Sequence, residues 1–467
     1  MLKGLEITEV KWSYVKLQSD VVRFDSYYYS KEFLSDENTI ANQSNKSLKE
    51  LNTNLLSFGA YSLNNFIEYK ESGIPFIRGV NMKDGVLDFS DTLYIDETAH
   101  KLLWKSEVKP NTILLSMSGT IGDVAIAMPD YKYPMNSNQD IAKITLNGGL
   151  NPYYLYTFLR SKYGQNFLKR EARGSVQQHV FLSQMENIRV PLLSPDFQQK
   201  IESLVKSAHE KLSRSKSLYA QAEDTLLCEL GLKDWQPKNE AVSIKTFSDF
   251  ASSGRLDAEY YQSKYDELFE KLSKFPQIKI KDVINYPVSS GSTPKAGDSE
   301  YYSDEKTGIP FLRAVDIIQS RIDLNDLMYI KSRVHNGLLK RTQLHKGDVL
   351  FSIAGTVGRC GIFDYDFEAN INQAIAILRF DESVVKHLYV IQFFNSKIGQ
   401  LVIEKYARQG LQTNLNLEEL SNLPIPILPQ ETQKKIAELI QTSFALRQES
   451  KQLLESAKLA VEAEIER

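Results

Sequence analysis

Residues Gly73–Arg78 read GIPFIR, and 235 residues later Gly308–Arg313 read GIPFLR. A second phrase, SMSGTIG at Ser116–Gly122, returns as SIAGTVG at Ser352–Gly358. Further shared phrases follow in the same order: Asn138-Gln139 with Asn372-Gln373, Ser161–Gln165 with Ser396–Gln400, and Asn187–Pro191 with Asn422–Pro426. Ordered self-similarity at a nearly constant period indicates a duplicated structural unit. We therefore predict two copies of one fold.

Each copy ends in a long helical pattern, one running from Pro195 to about Leu230 and the other following Pro429. Proline is tolerated at the first turn of a helix. Apolar or small residues recur at alternating steps of three and four: Ile201, Val205, Ala208, Leu212, Ser215, Tyr219, Ala222 and Leu226, then Ile436, Leu439, Ser443, Leu446, Ser450, Leu453, Ala457 and Ala460. This spacing is typical of a coiled-coil seam. We expect the helices to bury these seams against each other in a pseudo-two-fold molecule; the alternative is that each packs separately on its own domain.

Strand and helix patterns are mixed within each copy. Strands are predicted at 112–117 and 123–128, with counterparts at 348–353 and 360–363, and single amphipathic helices at 153–173 and 386–408. The predicted fold class is mixed α/β (α+β), with two tandem globular domains separated and closed by two long coiled-coil helices. The predicted boundaries are residues 1–194 and 233–429 for the domains, and 195–232 and 430–467 for the helices.

The composition is that of a soluble globular protein, with 42% hydrophobic and 25% charged residues among 467. No apolar run is long enough to span a bilayer, and the first residues do not resemble a secretory signal. Two cysteines are too few for a disulfide framework, so we expect a cytoplasmic protein. The net charge of −3 does not by itself favour nucleic-acid binding, which depends instead on local clusters of Lys and Arg.

Patterns that carry catalysis are weak. Leu150–Tyr154 (LNPYY) is a degraded version of an amino-methyltransferase loop, and we interpret it as a helix start with Pro152 at the first helical position. Asp96 with Glu107 and Lys109 has the skeleton of a metal-dependent nuclease, a pattern that is common by chance. The six histidines lack metal-ligand spacing, and no phosphate-binding loop or Gly-x-Ser-x-Gly occurs. We predict binding without catalysis, with no catalytic residue and no bound metal.

Several segments suit contacts to an anionic polymer. The Gly-Thr-x-Gly phrases beginning at Gly119 and Gly355 could offer backbone N–H groups to phosphate, although a tight turn explains the glycines equally well. Residues 331–346 contain five cations and no acid. The first copy is locally basic and amide-rich through Asn136, Asn138, Arg170, Arg173, Gln177, Gln178 and His179. Such side chains contact phosphates and base edges, and the alternative is a solvated surface.

Taken together, the chain resembles the specificity subunit of type I restriction–modification systems. The resemblance extends over essentially the whole chain and rests on ordered, duplicated phrases: RFDSYYY at Arg23–Tyr29 and RLDAEYY at Arg255–Tyr261, SGSTPK at Ser290–Lys295, the two GIPF phrases, the two Gly-Thr-x-Gly turns, the two Asn-Gln pairs, and the approaches to the helices at Leu182–Ile201 and Leu417–Ile436. Ser57–Tyr61 (SFGAY) stands where the second copy has SGSTP, so the two entry loops are expected to differ.

The resemblance implies two target recognition domains, each reading one half of a bipartite, asymmetric DNA site. It also implies that the helices act as a spacer and dock two methyltransferase subunits, with restriction subunits outside them. Catalysis and the binding of S-adenosylmethionine, ATP and Mg²⁺ would belong to those partners, not to this chain. Independently, a helix from Ile201 to Leu226 spans roughly 39 Å, which is close to one turn of DNA.

The candidate DNA-contacting residues lie in the repeated turns and basic segments. They are Arg78, Gly119, Thr120, Arg173, Gln177, Gln178, Arg313, Lys331, Arg333, Lys340, Arg341, Gly355, Thr356, Gln412 and Asn414. The candidate subunit-docking or helix-seam residues are Ile201, Val205, Ala208, Leu212, Tyr219, Leu226, Ile436, Leu439, Leu446 and Leu453. We interpret Arg23, Asp25, Arg255 and Asp257 as structural, with the adjacent tyrosines packing each domain onto the long helices; direct DNA contact is the alternative.

Two other functions stay open from the residues alone. One is a DNA adenine methyltransferase with its own recognition domain, against which the missing cofactor loop argues. The other is a coiled-coil scaffold that binds proteins instead of DNA. Binding of S-adenosylmethionine by the isolated chain would favour the first, and DNA affinity that survives charge reversal at Lys340 and Arg341 would favour the second.

Overall fold

The computed structural model describes residues 8–17, 23–51, 53–57, 67–174, 178–238, 240, 242–295, 297–318, 320–408 and 413–467. The chain divides into two compact units: unit 1 comprises Met1–Ser213 and Leu446–Arg467, and unit 2 is Arg214–Ala445. The long helices begin at the predicted positions, but each is divided between the two units near its middle. None of the helices in the described ranges combines the length and apolar character that a membrane crossing requires.

The described part of unit 1 contains six short helices, the first half of α7, the last part of α14, and twelve strands. The helices are α1 (Trp12–Leu17), α2 (Lys31–Ala41), α3 (Glu97–Leu102), α4 (Pro152–Arg160), α5 (Lys162–Glu171), α6 (Leu182–Met185) and α7 (Pro195–Glu229). The strands are β1 (Asn45–Ser47), β2 (Thr53–Leu56), β3 (Ile74–Ile77), β4 (Met82–Lys83), β5 (Val86–Leu87), β6 (Leu93–Ile95), β7 (Glu107–Val108), β8 (Ile113–Ser116), β9 (Val124–Ile126), β10 (Met135–Ser137), β11 (Ile141–Leu146) and β12 (Arg189–Pro191).

Two four-stranded sheets form the centre of unit 1, with strand orders β6-β3-β10-β7 and β2-β11-β8-β9. β10 runs parallel to β3, and the other pairings in these sheets are antiparallel. The predicted strands on either side of the first Gly-Thr-x-Gly turn are confirmed as β8 and β9. Both are buried along their whole length, which explains why they read as continuous apolar runs.

Unit 2 repeats this plan. Its helices are α8 (Phe247–Ser253), α9 (Ser263–Leu272), α10 (Ser332–Asn336), α11 (His387–Asn395), α12 (Lys397–Tyr406), α13 (Leu417–Ser421) and the first part of α14 (Gln430–Ile465). Its strands are β13 (Gln277–Lys279), β14 (Ser289–Ser290), β15 (Tyr302–Ser303), β16 (Ile309–Leu312), β17 (Ile317–Ile318), β18 (Ser320–Ile322), β19 (Met328–Ile330), β20 (Asp348–Ser352), β21 (Cys360–Phe363), β22 (Asn370–Ile371), β23 (Ile375–Leu378) and β24 (Pro424–Pro426).

The sheets of unit 2 have strand orders β14-β23-β20-β21-β18-β17 and β15-β19-β16-β22. β22 runs parallel to β16, as β10 does to β3. The predicted strands around the second Gly-Thr-x-Gly turn are confirmed as β20 and β21. Mixed α/β architecture in two tandem copies is therefore confirmed.

The single helices predicted at 153–173 and 386–408 are wrong, because each is a pair: α4 with α5, and α11 with α12. The break lies at Ser161 and at Ser396, both with extended backbone angles. Gly164 and Gly399 allow the second helix to cross against the end of the first, since a β-carbon there would lie 2.5 Å and 1.9 Å from backbone carbonyl oxygens. The helix start at Asn151-Pro152 is confirmed, with Asn151 Oδ1 accepting from Tyr153 N.

The long helices pack together within each unit. In unit 1, Lys211 Nζ lies 2.6 Å from Glu449 Oε2; in unit 2, Ser215 Oγ lies 3.0 Å from Ser443 Oγ. A residue further along α7 thus contacts a residue nearer the start of α14, so the helices run antiparallel. Most seam residues predicted on α7 are buried: Ile201, Val205, Ala208, Leu212, Ser215, Ala222 and Leu226, whereas Tyr219 is half-buried.

On α14 the buried positions partly differ from the predicted seam. Leu439, Leu446 and Leu453 are half-buried, and Ile440, Leu454 and Val461 are buried in their units, as is the predicted Ile436. An α-helix of 3.6 residues per turn drifts against a strict heptad, and apolar residues occupy both 439-440 and 453-454. Contacts with the rest of each unit determine which of two adjacent apolar residues on α14 is buried.

The tyrosines of the two opening phrases contact α5 and α12, so the predicted packing of these tyrosines on the long helices is wrong. Tyr28 Oη donates to Glu171 Oε1 at the end of α5. The Tyr260 ring packs edge-on to Tyr406 at the end of α12, with centroids 6.2 Å apart. The tyrosines therefore join the start of each copy to the second helix of its helix pair.

Candidate nucleic-acid interface

Two repeated phrases meet because their strands are parallel. Arg78 follows β3 and Asn138 follows β10, and Asn138 N donates to Ile77 O over 2.8 Å. In unit 2, Arg313 follows β16, and Asn372 N donates to Leu312 O over 3.0 Å. The ends of parallel strands bring the GIPF phrase and the Asn-Gln phrase to the same edge of the sheet.

The Gly-Thr-x-Gly turns join the two hairpin strands beside this edge. Gly119 and Gly355 have φ values of 75°, and a β-carbon on Gly119 would meet no atom within 4 Å. A β-carbon on Gly122 would lie 2.6 Å from Oε1 of Gln165. The amide nitrogen of the same glutamine side chain donates to Gly122 O. The second glycine therefore serves packing, whereas the first lies in an exposed part of the turn.

A closed loop base lies against each turn. Arg173 and His179 exchange two backbone hydrogen bonds of 2.9 and 2.7 Å, and Arg408 and Asn414 do the same at 2.8 and 3.1 Å. The next residue donates to the end of the hairpin strand: Val180 N to Met117 O and Leu415 N to Ile353 O. We call Arg173 with His179 loop base 1, and Arg408 with Asn414 loop base 2.

These features form one contiguous surface in each unit. Edge 1 consists of Arg78, Ser118–Thr120, Asn138 and loop base 1; edge 2 consists of Arg313, Ala354–Thr356, Asn372 and loop base 2. In edge 1, a β-carbon on Gly79 would lie 4.0 Å from Thr120 Oγ1, and Ser118 bridges to His179. In edge 2, Ala354 bridges to Asn414. Gln178 is exposed beside His179, and Gln177 and Gln412 lie outside the described residues.

The arginines of the two edges differ in how fully they are held. Arg78 Nη2 donates to Asp91 O and Oδ2, whereas Arg313 makes a two-point ion pair with Asp316 and donates to Asp326 O. The hydrogen bonds that Arg313 donates to the Asp316 carboxylate raise the pKa of Arg313. Both arginines brace the turn that follows their strand.

Edge 1 contains buried polar atoms that lack partners among the described residues. Arg173 Nε and Asn138 Oδ1 are buried and make no hydrogen bond with the described residues. Leaving such an atom unsatisfied costs roughly 1–3 kcal/mol, which a ligand could recover. In loop base 2, by contrast, Arg408 Nε donates to Glu419 Oε1 over 2.7 Å.

The basic run of unit 2 folds into α10 and a 3-10 turn at Lys340–Thr342. Lys340 and Arg341 are exposed and make no side-chain hydrogen bond or ion pair with the described residues, whereas Arg333 binds Glu300. Lys331, at the start of the run, is half-buried.

A buried cluster holds this turn: Asn370 contacts His335 Nδ1, Leu339 O and Thr342 Oγ1 over 2.7 to 3.3 Å. Burial lowers the pKa of His335. Unit 1 has the same cluster, in which Asn136 contacts His100, Leu103 O and Ser106.

Sequence reasoning missed the exposed residues that this cluster supports in unit 1. The 3-10 turn Trp104–Ser106 matches Lys340–Thr342, and it presents Trp104, which is 64% exposed, and Lys105. The sequence does contain a signal that the two turns are equivalent: His100 and His335, which precede them, are separated by the same 235 residues as the GIPF phrases.

Two residues of the amide-rich and basic set in the first copy are internal, so for them both the phosphate or base contact and the solvated surface are wrong. Asn136 is fully buried in the cluster just described. Arg170 is 5% exposed; its Nη1 pairs with Glu37 and its Nε donates to Tyr28 O. Long-range partners, which sequence spacing does not reveal, occupy both side chains.

Among the described residues, no group of three or more His, Cys, Asp or Glu side chains could hold a metal ion. Asp96 of the nuclease-like pattern caps α3 by accepting from Ala99 N, and Glu107 lies 3.5 Å from Lys109. The nearby carboxylate and lysine thus have local structural contacts.

The model of the type I restriction modification DNA specificity domain family matches residues 58–218 and 273–456. These two matches, one in each half, cover well over half of the chain, which therefore belongs to this family. The specificity subunit of the type I restriction enzyme EcoBI from Escherichia coli is 23% identical over 400 residues, covering 84% of this chain and 77% of that protein. The MjaIX specificity subunit from Methanocaldococcus jannaschii is 26% identical over 347 residues, covering 71% of each.

Solved structures give a weaker likeness. The crystal structure of a type I restriction–modification S subunit from M. genitalium has a TM-score of 0.43 and 14% identity, covering 91% of this chain and 95% of that one. The HsdS subunit from Thermoanaerobacter tengcongensis has a TM-score of 0.30 and 15% identity, covering 91% and 96%.

Proposed function

We propose that this chain is the DNA sequence-recognition subunit of a type I restriction–modification complex, in which each unit reads one half of a bipartite, asymmetric site. The observation that carries the proposal is the pairing of two family matches with two copies of the same edge. Each edge groups arginine, amide and open-turn residues, the types that contact phosphates and base edges.

The asymmetry of the site follows from what the copies expose. Trp104-Lys105 in unit 1 corresponds to Lys340-Arg341 in unit 2, and Asp123 after the first turn corresponds to Arg359. Burial raises the pKa of Asp123, whereas Arg359 Nη1 lies 3.4 Å from Val315 O. Different side chains on a common scaffold would select different bases.

The partners follow from the family. Two methyltransferase subunits would dock on α7 and α14, with restriction subunits outside them, and these partners would bind S-adenosylmethionine, ATP and Mg²⁺ and carry out the chemistry in the cytoplasm. Because most seam residues are buried within the units, the docking surface would use outward positions such as Leu459, which is 52% exposed.

The test is long-read sequencing of DNA from a methylation-free host that expresses this chain with its neighbouring methyltransferase. We expect a split, asymmetric methylated motif. Replacing residues 240–429 with those of a relative should change one half of the motif alone.

Reversing charge with Lys340→Glu and Arg341→Glu should lower DNA affinity of the assembled complex, because two unpaired cations become anions. Lys346→Glu is the control for reversing a single charge in the same basic run, because Lys346 is already paired with Asp366. No methylation by an assembled complex, or unchanged affinity in the double variant, would favour a protein-binding scaffold instead.

A further inference from the structure

Arg23 and Asp25, in the phrase that opens the first copy, form a fork at the end of α5. Arg23 Nε and Nη2 bind the two Asp25 oxygens over 2.8 and 3.1 Å, and Nη1 donates to Arg170 O over 3.1 Å. The last carbonyls of a helix have no partner within it, and a cation is favoured there by the helix dipole. Arg23 therefore fixes the end of α5.

Unit 2 repeats the fork. Arg255 Nε and Nη2 bind Asp257 over 2.6 and 2.5 Å, Nη1 donates to Tyr406 O over 3.0 Å, and Nη2 donates to Ala407 O over 3.3 Å. Tyr406 is the last residue of α12. Two forks with the same geometry, 232 residues apart, indicate one conserved task within the chain.

A pair of adjacent tyrosines contacts the arginine of each fork. Tyr29 Oη donates to Arg23 O and Tyr261 Oη donates to Arg255 O, over 3.1 and 2.8 Å. The guanidinium of Arg23 lies 4.4 Å from the ring centroid of Tyr28, and that of Arg255 lies 5.0 Å from that of Tyr260. These contacts explain why both phrases contain arginine, aspartate and paired tyrosines.

The helix ends that the forks hold lead directly into the loop bases. α5 ends at Glu171, two residues before Arg173, and α12 ends at Tyr406, two residues before Arg408. The forks therefore set where each loop base begins. In unit 2 the link is also ionic, because Glu419 lies 3.6 Å from Arg255 Nη1 and 2.7 Å from Arg408 Nε.

Direct DNA contact by the fork arginines is not supported by this geometry. Every side-chain nitrogen of Arg23 and Arg255 has a protein partner, and the two side chains are 15% and 13% exposed. They act through the residues that follow the helices.

We infer that Arg23 and Arg255 are positioning residues for DNA recognition, each holding the loop base of its own unit and thereby the selectivity for its own half-site. This inference rests on the proposed function. A planar guanidinium is required, because only its fork can bind a carboxylate at two points while donating to a carbonyl.

The experiment uses the full chain assembled with its methyltransferase partner. Dissociation constants are measured for the cognate duplex and for duplexes with one base changed in either half-site. Arg23→Ala should reduce the discrimination ratio roughly fivefold or more at the half-site of unit 1 and leave the other half unchanged, and Arg255→Ala should do the reverse.

Arg23→Lys should not rescue discrimination, although it keeps the charge. Arg189→Ala is the control within unit 1 and should leave both ratios unchanged, because Arg189 lies on β12, is 52% exposed and forms an ion pair with Glu50. If Arg23→Ala prevents assembly, Asp25→Asn replaces it, because it weakens the fork while keeping its size; it should lower the same ratio.

The outcomes separate the inference from the proposed function. A wild-type complex without split-site selectivity would overturn the proposed function itself. Split-site selectivity in the wild type, with ratios unchanged or equally reduced in both halves by the arginine variants, would overturn only the positioning role.

Discussion

At the 3-10 turn after α3, unit 1 presents Trp104 and Lys105; at the matching turn after α10, unit 2 presents Lys340 and Arg341. Beneath both turns lies the same set of a histidine, a buried asparagine and a buried hydroxyl residue, in which the histidine is half-buried in unit 1 and buried in unit 2. The hidden polar contacts have been kept between the copies, and the exposed side chains have diverged. A surface that only had to be soluble would give no reason to preserve the support so closely.

A buried lysine of unit 1 has an apolar counterpart in unit 2. Lys143 on β11 is 2% exposed, and among the described residues its Nζ has only Ser137 Oγ and Ile141 O as hydrogen-bond partners, at 3.1 and 3.4 Å. Ile377 on β23 takes this place in unit 2. Burial without a carboxylate partner lowers the pKa of Lys143 to about 7.

Lys143→Met should remove this difference and have the largest effect. At pH 6 the lysine is protonated in both the folded and the unfolded chain, so the folded state bears the whole cost of the buried charge, roughly 3–5 kcal/mol. The variant should therefore raise the free energy of unfolding of unit 1 by a few kcal/mol at pH 6, as measured by urea denaturation.

The pKa of Lys143 also fixes the direction in which the stability of the wild type changes with pH. Between pH 7 and about 10 the unfolded chain holds a proton on Lys143 that the folded chain lacks, so unfolding takes up a proton and wild-type stability rises with pH. The advantage of Lys143→Met should shrink across that range. Ile377→Met in unit 2 is the control and should not alter the pH dependence; parallel curves for wild type and Lys143→Met would contradict the prediction.

Replacing the glycine at the helix crossing should destabilise both units to a similar extent. Gly399→Ala places a β-carbon 2.6 Å from Phe394 Cα, and Gly164→Ala places one 2.6 Å from Leu159 Cα. Forcing these helices apart should cost about 1–3 kcal/mol in either unit, measured as a lower midpoint of urea unfolding. Lys169→Ala on the exposed side of α5 is the control. Loss in one unit only would mean that the two crossings are not equivalent.

Exchanging the exposed turns should have the smallest effect. Trp104→Lys with Lys105→Arg gives unit 1 the residues of unit 2 and adds one positive charge. If the turn contacts phosphate, the slope of log affinity against log salt should steepen by about 1, because one more counterion is released. The reciprocal change, Lys340→Trp with Arg341→Lys, should flatten it. Fluorescence anisotropy over a salt series measures both, and unchanged slopes would place the turns away from DNA.

The duplication, the strands around the Gly-Thr-x-Gly turns and the starts of both long helices could be predicted from the sequence. Each depends on local information: ordered phrases, apolar periodicity, and a proline before a helical run. The choice between Leu439 and Ile440 was beyond this reasoning, because both are apolar and only contacts with the domain distinguish them.

Sequence alone thus determined that two copies of one α/β unit are joined by long helices, since repeats and periodicity are properties of neighbouring residues. Tertiary structure alone decided which polar side chains are free to contact a ligand and which are occupied by partners within the protein. Arg170 and Arg173 lie three positions apart, yet Arg170 is enclosed by Glu37 and Tyr28, whereas Arg173 lies at loop base 1 and its Nε makes no hydrogen bond with the described residues. Those partners come from distant parts of the chain, and folding brings them together.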